Sequence, residues 1–263
     1  MTEGRLDKLF SSIQMAVTDY FGKLDISANG VHYKDNREIF TRADKDIEAV
    51  IIDLILNEFP AHKIVSEEKG VTGSGDMCWY IDPVDNTVGL VFGEKDISVS
   101  IALKNGGRHL RSMVINPRTG EVFEAGPEGG FKNGCRLAAC PDSLFDGRGL
   151  STCAYVRREY IPAMLRIMGI LFEKRIPLRI SGGSALDLCY LAEGRTLAHV
   201  SLGAHTWDVE AGLHMVKSAG GAVEILALFP ERNALALLAA ASPSVLGQLK
   251  ELLGGAIDPE VIF

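Results

Sequence analysis

Trp79-Tyr80-Ile81-Asp82-Pro83-Val84-Asp85-Asn86-Thr87 decides how this chain is read. The apolar run Met77 to Ile81 predicts a buried strand, and two carboxylates separated by a proline follow it at once. Pro83 has a fixed φ and no N–H, so the strand is expected to stop there. It also biases Asp82 towards extended backbone, which puts that acid at the strand end. Asp85 follows closely enough for a tight turn to bring both carboxylates to one point. Two such charges repel unless a cation lies between them, and clustered hard oxygens suit Mg²⁺. An ordinary Asp-rich turn accounts for the same residues, so support must come from elsewhere in the chain.

Two other acidic stretches supply it. Ser66-Glu67-Glu68 follows the apolar segment His62–Val65, a second short strand that ends in acids. Trp207-Asp208-Val209-Glu210-Ala211-Gly212 opens a helical pattern, with Asp208 where an N-cap belongs. Taken in order, EE, DPxDxT and WDxxAG resemble the signature of the inositol monophosphatase family, within the lithium-sensitive, Mg²⁺-dependent sugar phosphatase superfamily. The resemblance covers nearly the whole chain and implies a layered αβαβα sandwich.

Length and composition allow a large core and restrict the partners. The 263 residues are 47% hydrophobic and 23% charged, enough for a large core in one domain or two closely packed ones. A net charge of −7 argues against nucleic acid as the main partner. It is awkward for a phosphate-binding protein too, unless some of the acids hold metal ions. Five cysteines (Cys78, Cys135, Cys140, Cys153, Cys189), odd in number and without CxxC spacing, argue against a disulfide framework and a zinc ribbon and read as buried, reduced thiols. The polar N-terminus has no signal-peptide core and no apolar run reaches membrane-spanning length, so a cytoplasmic protein is expected.

Leu6, Leu9, Phe10, Ile13, Val17, Tyr20, Phe21 and Leu24 recur at helical spacing and predict a first amphipathic helix. After a polar stretch with an Asn29-Gly30 turn, Asp44 is a natural N-cap for a second helix, with apolar face Ile47, Val50, Ile51, Leu54 and Ile55. Gly70 to Asp76 reads as a flexible loop. Strands are expected at Ile97–Ile101, Leu110–Ile115 and Glu121–Ala125, with a hairpin-like segment at Gly129–Gly134. The composition shifts near Pro141–Gly149, and strands and helices alternate from there to a closing helix over Pro243–Leu253. The expected organisation is therefore an α+β part over residues 1–143, carrying most of the metal ligands, and an α/β part over 144–263.

The family resemblance implies that Glu67, Asp82, the Val84 carbonyl, Asp85 and Asp208 hold two or three Mg²⁺ ions. It implies that Glu67 and Thr87 orient an attacking water, with no phosphoenzyme. Asp44 falls in the family's T-x-x-D element close to the active site, although its helix-capping role alone accounts for it. Backbone amides at Asn86 and Thr87 match those that cradle phosphate in the family, which usually has glycine where this chain has Asn86. Asparagine tolerates φ > 0 better than most residues, but its side chain is expected to crowd the phosphate. Glu68 is read as lying outside the ligand set, Trp207 as packing, and Glu210 as an acid favoured in the first turn of a helix.

Ser181-Gly182-Gly183-Ser184-Ala185 resembles the family's GSA element, whose small residues (Gly183, Ser184, Ala185) let a sugar approach the backbone; a simple helix start explains them equally well. The family's inositol-contacting glutamate corresponds to Ser201, and an acid four residues earlier to Leu197. The activity the resemblance implies is Mg²⁺-dependent hydrolysis of a small sugar or inositol phosphate, with a poorer KM expected for inositol 1-phosphate than for at least one other sugar phosphate. Asp208 would contact substrate as well as metal. Arg157, Arg158, Lys174, Arg175 and Arg179 form either a solvated basic face or a second phosphate site, as in a fructose-1,6-bisphosphatase or a 3′(2′),5′-bisphosphate nucleotidase. The partner is thus a small phosphorylated metabolite, with a homodimer as the family habit. A non-catalytic relative acting as a binding subunit is the contrasting reading, opposed by the complete set of clustered acids.

Overall fold

The computed structural model describes residues 3–25, 30–33, 39–138, 143–153 and 158–257. Asn29, Cys140, Pro141 and Arg157 lie outside them. The first helix, α1 (Glu3–Lys23), buries Leu6, Leu9, Phe10, Ile13, Val17 and Phe21, the face its periodicity predicts. A two-stranded ladder, β1 (Val31–Tyr33) with β2 (Ile39–Thr41), leads into α2 (Arg42–Glu58). Here the structure corrects two expectations. Thr41, not Asp44, is the N-cap, and Asp44 stands at N3, where its carboxylate accepts from the Thr41 N–H at 2.7 Å. The buried stripe of α2 is Ala43, Asp44, Ile47, Glu48, Ile51, Ile52 and Ile55, while Val50 is exposed.

Both helices cover one face of an eight-stranded sheet. Its strands are β3 (Lys63–Ser66), β4 (Gly70–Thr72), β5 (Met77–Asp85), β6 (Ser98–Asn105), β7 (Arg108–Asn116), β8 (Glu121–Gly126), β9 (Gly129–Lys132) and β10 (Cys135–Arg136). The order is β10-β9-β8-β7-β6-β5-β3-β4, antiparallel except for the parallel pair β3/β5. The segment expected to be a loop after Glu68 thus contains β4. Alternation sorts the faces: Ile64, Trp79, Ile81, Val99, Ile101, Leu103, Met113 and Ile115 meet α1 and α2. Burying Phe10 in this core contributes about 2–3 kcal/mol, and its ring lies 5.8 Å from that of Trp79.

β5 does not stop at Pro83. It runs on to Asp85, and its register with β6 slips between Asp82 and Asp85. Pro83 sits in that irregularity, where its missing N–H costs no ladder bond. A short helix that the sequence reading missed, α3 (Thr87–Phe92), follows immediately.

The second sheet has the order β12-β11-β13-β15-β14, from β11 (Leu150–Cys153), β12 (Leu178–Ser181), β13 (Ala198–His205), β14 (Ala222–Phe229) and β15 (Ala234–Ala240). β11 pairs in parallel with β12 and β13, and the rest is antiparallel. Its helices are α4 (Ile161–Glu173), α5 (Ser184–Ala192), α6 (Thr206–Ser218) and α7 (Pro243–Leu253). Leu235, Leu237 and Ala239 share one cluster with α5, α6 and the far face of the first sheet, through Ala102, Val114 and Phe123. Leu238 and Ala240 face α4 and α7 instead. The layers are therefore α1/α2, sheet, α5/α6, sheet, α4/α7, the αβαβα sandwich expected from the resemblance. Among the described residues no helix is long and apolar enough to cross a membrane. The described cysteines are free; Cys78, Cys153 and Cys189 are buried, whereas Cys135 is exposed, against expectation.

Candidate active site

The two acid-bearing strands end side by side. β3 and β5 run parallel with Ser66 opposite Ile81, so Glu67 emerges beside Asp82, and the Glu67 N–H donates to the Ile81 carbonyl at 3.3 Å. Asp82 is buried, and one of its oxygens accepts from the Val84 N–H at 3.0 Å, which folds the chain back at the bulge. Asp85 is held from two layers: Ser98 Oγ donates to its Oδ2 at 3.2 Å, and so does the Ala185 N–H at the start of α5, at 2.9 Å. Gly183 is needed here for room, because a Cβ on it would lie 2.6 Å from Asp85 Oδ2. This places Gly183, Ser184 and Ala185 against Asp85. Ser184 is wholly buried, and its hydroxyl has no hydrogen-bond partner among the described residues.

Asp208 reaches the site from α6. It stands at N3, not at the expected N-cap, which is His205; the His205 N–H donates to Asp208 Oδ2 at 2.9 Å. Ser100 Oγ donates to the Trp207 carbonyl at 3.2 Å, fixing this helix start to β6. Trp207 packs with Val65 and Cys78 behind the acids.

Asp44, at the start of α2, accepts at 3.0 Å from Thr87 Oγ, which also lies 3.0 Å from the Val84 carbonyl. Carboxylate oxygens of Asp44, Glu67 and Glu68 lie within 4.8 Å of one another. Glu68, read from sequence as lying outside the ligand set, thus stands beside Asp44 and Glu67 in this acidic group.

These charges act on each other. Burial, and then the charges of Glu67, Asp85, Asp208 and Asp44, push the Asp82 carboxyl well above the usual carboxylate range. Burial and Asp208 do the same to Asp85, against the opposing hydrogen bonds from Ala185 and Ser98. Asp44 is raised by burial. Among the described residues no lysine or arginine forms an ion pair with Asp82 or Asp85. A cluster of oxygen donors in this state fits a hard divalent cation, which can take the place of the protons.

Asn86 caps α3 with φ at 70°, in the left-handed region asparagine accepts better than most residues. Its side chain does not hang free. Oδ1 accepts from the Gly89 N–H at 2.9 Å, and Nδ2 donates to the Asp96 carbonyl at 2.7 Å. A Cβ on Gly89 or Gly182 would overlap that amide, so Asn86 fills a slot between α3 and the Ser181–Ala185 loop.

Other residues singled out by sequence lie apart from the acids or are already engaged. Ser201 is wholly buried in β13, its Oγ without a hydrogen-bond partner among the described residues, and Leu197 is buried as well. Arg179 is committed to Asp96 at 2.8 Å and Asp187 at 3.2 Å, while Lys174 and Arg175 are exposed at the end of α4. Glu210 points to Lys104 at 2.6 Å and His109 at 2.7 Å. The sequence reading passed over Glu48. This acid breaks the buried stripe of α2, and the break is the one signal that could have found it.

The family model described as the inositol monophosphatase family matches residues 8–253. The protein named Nus factor SuhB is 36% identical over 194 residues in Salmonella typhimurium, spanning 72% of this chain and 73% of that one. Its Escherichia coli counterpart gives the same figures. Among solved structures, an IMPase of Thermotoga maritima is 27% identical with a TM-score of 0.79, covering 99% of this chain and 100% of the other. A staphylococcal IMPase complexed with products shares the fold at a TM-score of 0.83 and 22% identity, covering 97% and 96%.

Proposed function

The chain belongs to the inositol monophosphatase family, and from that premise we propose that it hydrolyses the phosphomonoester of a small sugar or polyol with the help of Mg²⁺. What carries this reading is the state of Asp82, a buried carboxylate pushed up by burial and by four neighbouring acids. Such an arrangement costs stability and has a physical reason only if a cation completes it. Glu67, Asp82, the Val84 carbonyl, Asp85 and Asp208 would hold two or three ions, with Glu68 and Asp44 beside them. Mg²⁺ held by these residues would supply charge neutralisation of the phosphate dianion, a more acidic water and stabilisation of the leaving oxygen.

The chain's own groups do the rest. Thr87 Oγ donates to Asp44 Oδ1 and so turns its lone pairs to an attacking water, which Glu67 orients from the other side. Asp44, raised by burial, takes up the proton passed through Thr87. The Asn86 and Thr87 amides would meet the phosphate oxygens without adding charge, while the Gly89 N–H is taken by Asn86 Oδ1. Gly183 and Ala185 keep the α5 start free of bulk beside Asp85, where the sugar would approach. Ser201 and Leu197 offer no carboxylate to ring hydroxyls, so KM for inositol 1-phosphate is expected to exceed that for at least one other sugar phosphate. A bisphosphate substrate finds less support, because Arg179 is already paired. A cytoplasmic homodimer is part of the same proposal, and sedimentation tests its oligomeric state.

The name Nus factor carried by the relatives favours one other reading, a binding role without turnover. Phosphate release under Mg²⁺ titration decides between them, across inositol 1-phosphate, fructose 1,6-bisphosphate, a simple sugar phosphate and 3′-phosphoadenosine 5′-phosphate, beside Asp85→Asn. Metal-dependent release lost in Asp85→Asn supports the hydrolase. Folded protein that binds Mg²⁺ and releases nothing from any ester supports the binding role.

A further inference from the structure

We infer that Glu48 is a positioning residue of this site: its carboxylate holds the turn that carries Glu67 and Glu68, and thereby sets the affinity for the divalent cation. The inference rests on the proposed function and adds a residue outside the three acidic motifs.

Glu48 is 1% exposed, on the face of α2 that otherwise buries isoleucines. A carboxylate in that position is costly unless its oxygens are hydrogen-bonded. One oxygen, Oε1, accepts two backbone N–H groups, from Glu68 at 2.9 Å and Lys69 at 3.2 Å. Those residues belong to the short connection between β3 and β4, in which Ser66 pairs with Gly70. The turn is therefore pinned at one end by β5, through the Glu67 N–H and the Ile81 carbonyl, and at the other by Glu48. Bonds from a charged acceptor are stronger than neutral ones, and two converging donors define a direction.

Asp44 stands one helical turn before Glu48 on the same face of α2, and its carboxylate lies within 4.8 Å of those of Glu67 and Glu68. One rigid helix thus supplies an acid to the cluster and fixes the backbone of two others. Glu68 repels Asp44, and Lys69 beside it is exposed, so without Glu48 the turn can relax outwards. The cation would then have to supply the ordering itself, and its affinity would fall.

The test uses the full chain as wild type, Glu48→Ala, Glu48→Gln and Glu48→Asp. Mg²⁺ binding is read by calorimetry, amide exchange at Glu68 and Lys69 by NMR, and KM and kcat at saturating Mg²⁺. Glu48→Ala is expected to weaken Mg²⁺ binding about tenfold or more, the usual scale for residues that support metal ligands. Exchange at Glu68 and Lys69 should speed up, while kcat at saturating Mg²⁺ and KM for the ester should both stay within about twofold. Glu48→Gln keeps an acceptor oxygen and should restore most of the affinity. A folded Glu48→Ala with wild-type Mg²⁺ affinity overturns the inference, whatever its Tm. Should Glu48→Ala not fold, Glu48→Asp decides: its shortened side chain is expected to weaken Mg²⁺ binding, and wild-type affinity there overturns the inference. Wild-type protein that binds no Mg²⁺ removes the proposed function as well, whereas normal wild-type binding with indifferent variants removes the role of Glu48 alone.

Discussion

Asp208 and Glu210 stand two residues apart on α6, 6% and 7% exposed, in opposite electrical surroundings. Asp208 joins Asp82 and Asp85, whose carboxyls are pushed up by burial and mutual repulsion. Glu210 faces Lys104 of β6 and His109 of β7. Burial acts to raise its carboxyl too, but the His109 hydrogen bond and the Lys104 charge outweigh it and hold Glu210 below its ordinary value. The same helix therefore carries one acid facing Asp82 and Asp85, which form no ion pair with a lysine or arginine among the described residues, and one acid that is already compensated. Burial alone does not mark a functional carboxylate; the sign of the charges that surround it does.

The strongest way to break that contrast is to remove a charge from each side. Asp85→Asn should lower Mg²⁺-dependent phosphate release by more than about a hundredfold, beyond the loss typical of residues that merely support ligands. It should also raise Tm without metal, because a repelling charge is gone. Glu210→Ala should do the reverse, costing about 3 kcal/mol in denaturant unfolding by stranding Lys104 and His109. Its half-saturating Mg²⁺ concentration should stay within about twofold of wild type. If Glu210→Ala shifts the Mg²⁺ requirement strongly, the two regions are one electrostatic unit and the contrast fails.

Acidity sharpens the comparison. Asp82 and Asp85 hold protons in the folded state at pH values where the unfolded chain has released them, so their contribution to stability falls as pH rises through the raised values. Glu210 has the opposite sign: its contribution is present above its unfolded value and is lost as pH falls through the depressed folded one. His214, stacked on His109, is held down to about 3 by burial and then by the His109 charge. Stability from a neutral His214 is present above about 6.5 and is lost towards acid, by about 1.4 kcal/mol per pH unit. The stabilisation that Mg²⁺ gives, measured as the Tm difference with and without metal, should therefore grow with pH, and in Asp85→Asn it should grow less steeply. A Tm difference independent of pH would mean that cation and protons do not compete.

The contrast also explains what the sequence could and could not tell. The strand ends at Glu67 and at Asp82 and Asp85 were legible because β-periodicity and abrupt acids are local signals, and α1 was legible down to its buried face. Asp44 and Asp208 were each placed three residues out as N-caps, because an N3 acid reached from the N-cap backbone looks like a cap in one dimension. Pro83 was read as a stop because a bulge that excuses its missing N–H depends on the partner strand β6. Only the folded chain shows that Lys104 and His109, far from Glu210 in sequence, leave that acid occupied. The same holds for Glu48, whose partners are backbone amides on another element.

Asn86 gives the smallest effect and the most specific one. From sequence it was an intruder at a position where the family usually has glycine, expected to crowd the phosphate. In the fold its amide is bound to Gly89 and Asp96, and Gly89 and Gly182 leave it the space. Asn86→Gly loses those bonds, worth about 1 kcal/mol each, but removes a side chain from a backbone at φ 70°, where glycine carries no penalty. The terms oppose each other, so stability should change by no more than about 1 kcal/mol. The chemical consequence is separable from stability. Asn86 Oδ1 now takes the Gly89 N–H, one of the first amides of α3, and Asn86→Gly releases that donor towards an incoming anion. KM for the ester and the inhibition constant for inorganic phosphate should both fall severalfold, while the half-saturating Mg²⁺ concentration stays put, since no acid has moved. Unchanged phosphate affinity would mean that the Gly89 amide never faces substrate, and that Asn86 serves only to brace α3 against the Ser181–Ala185 loop.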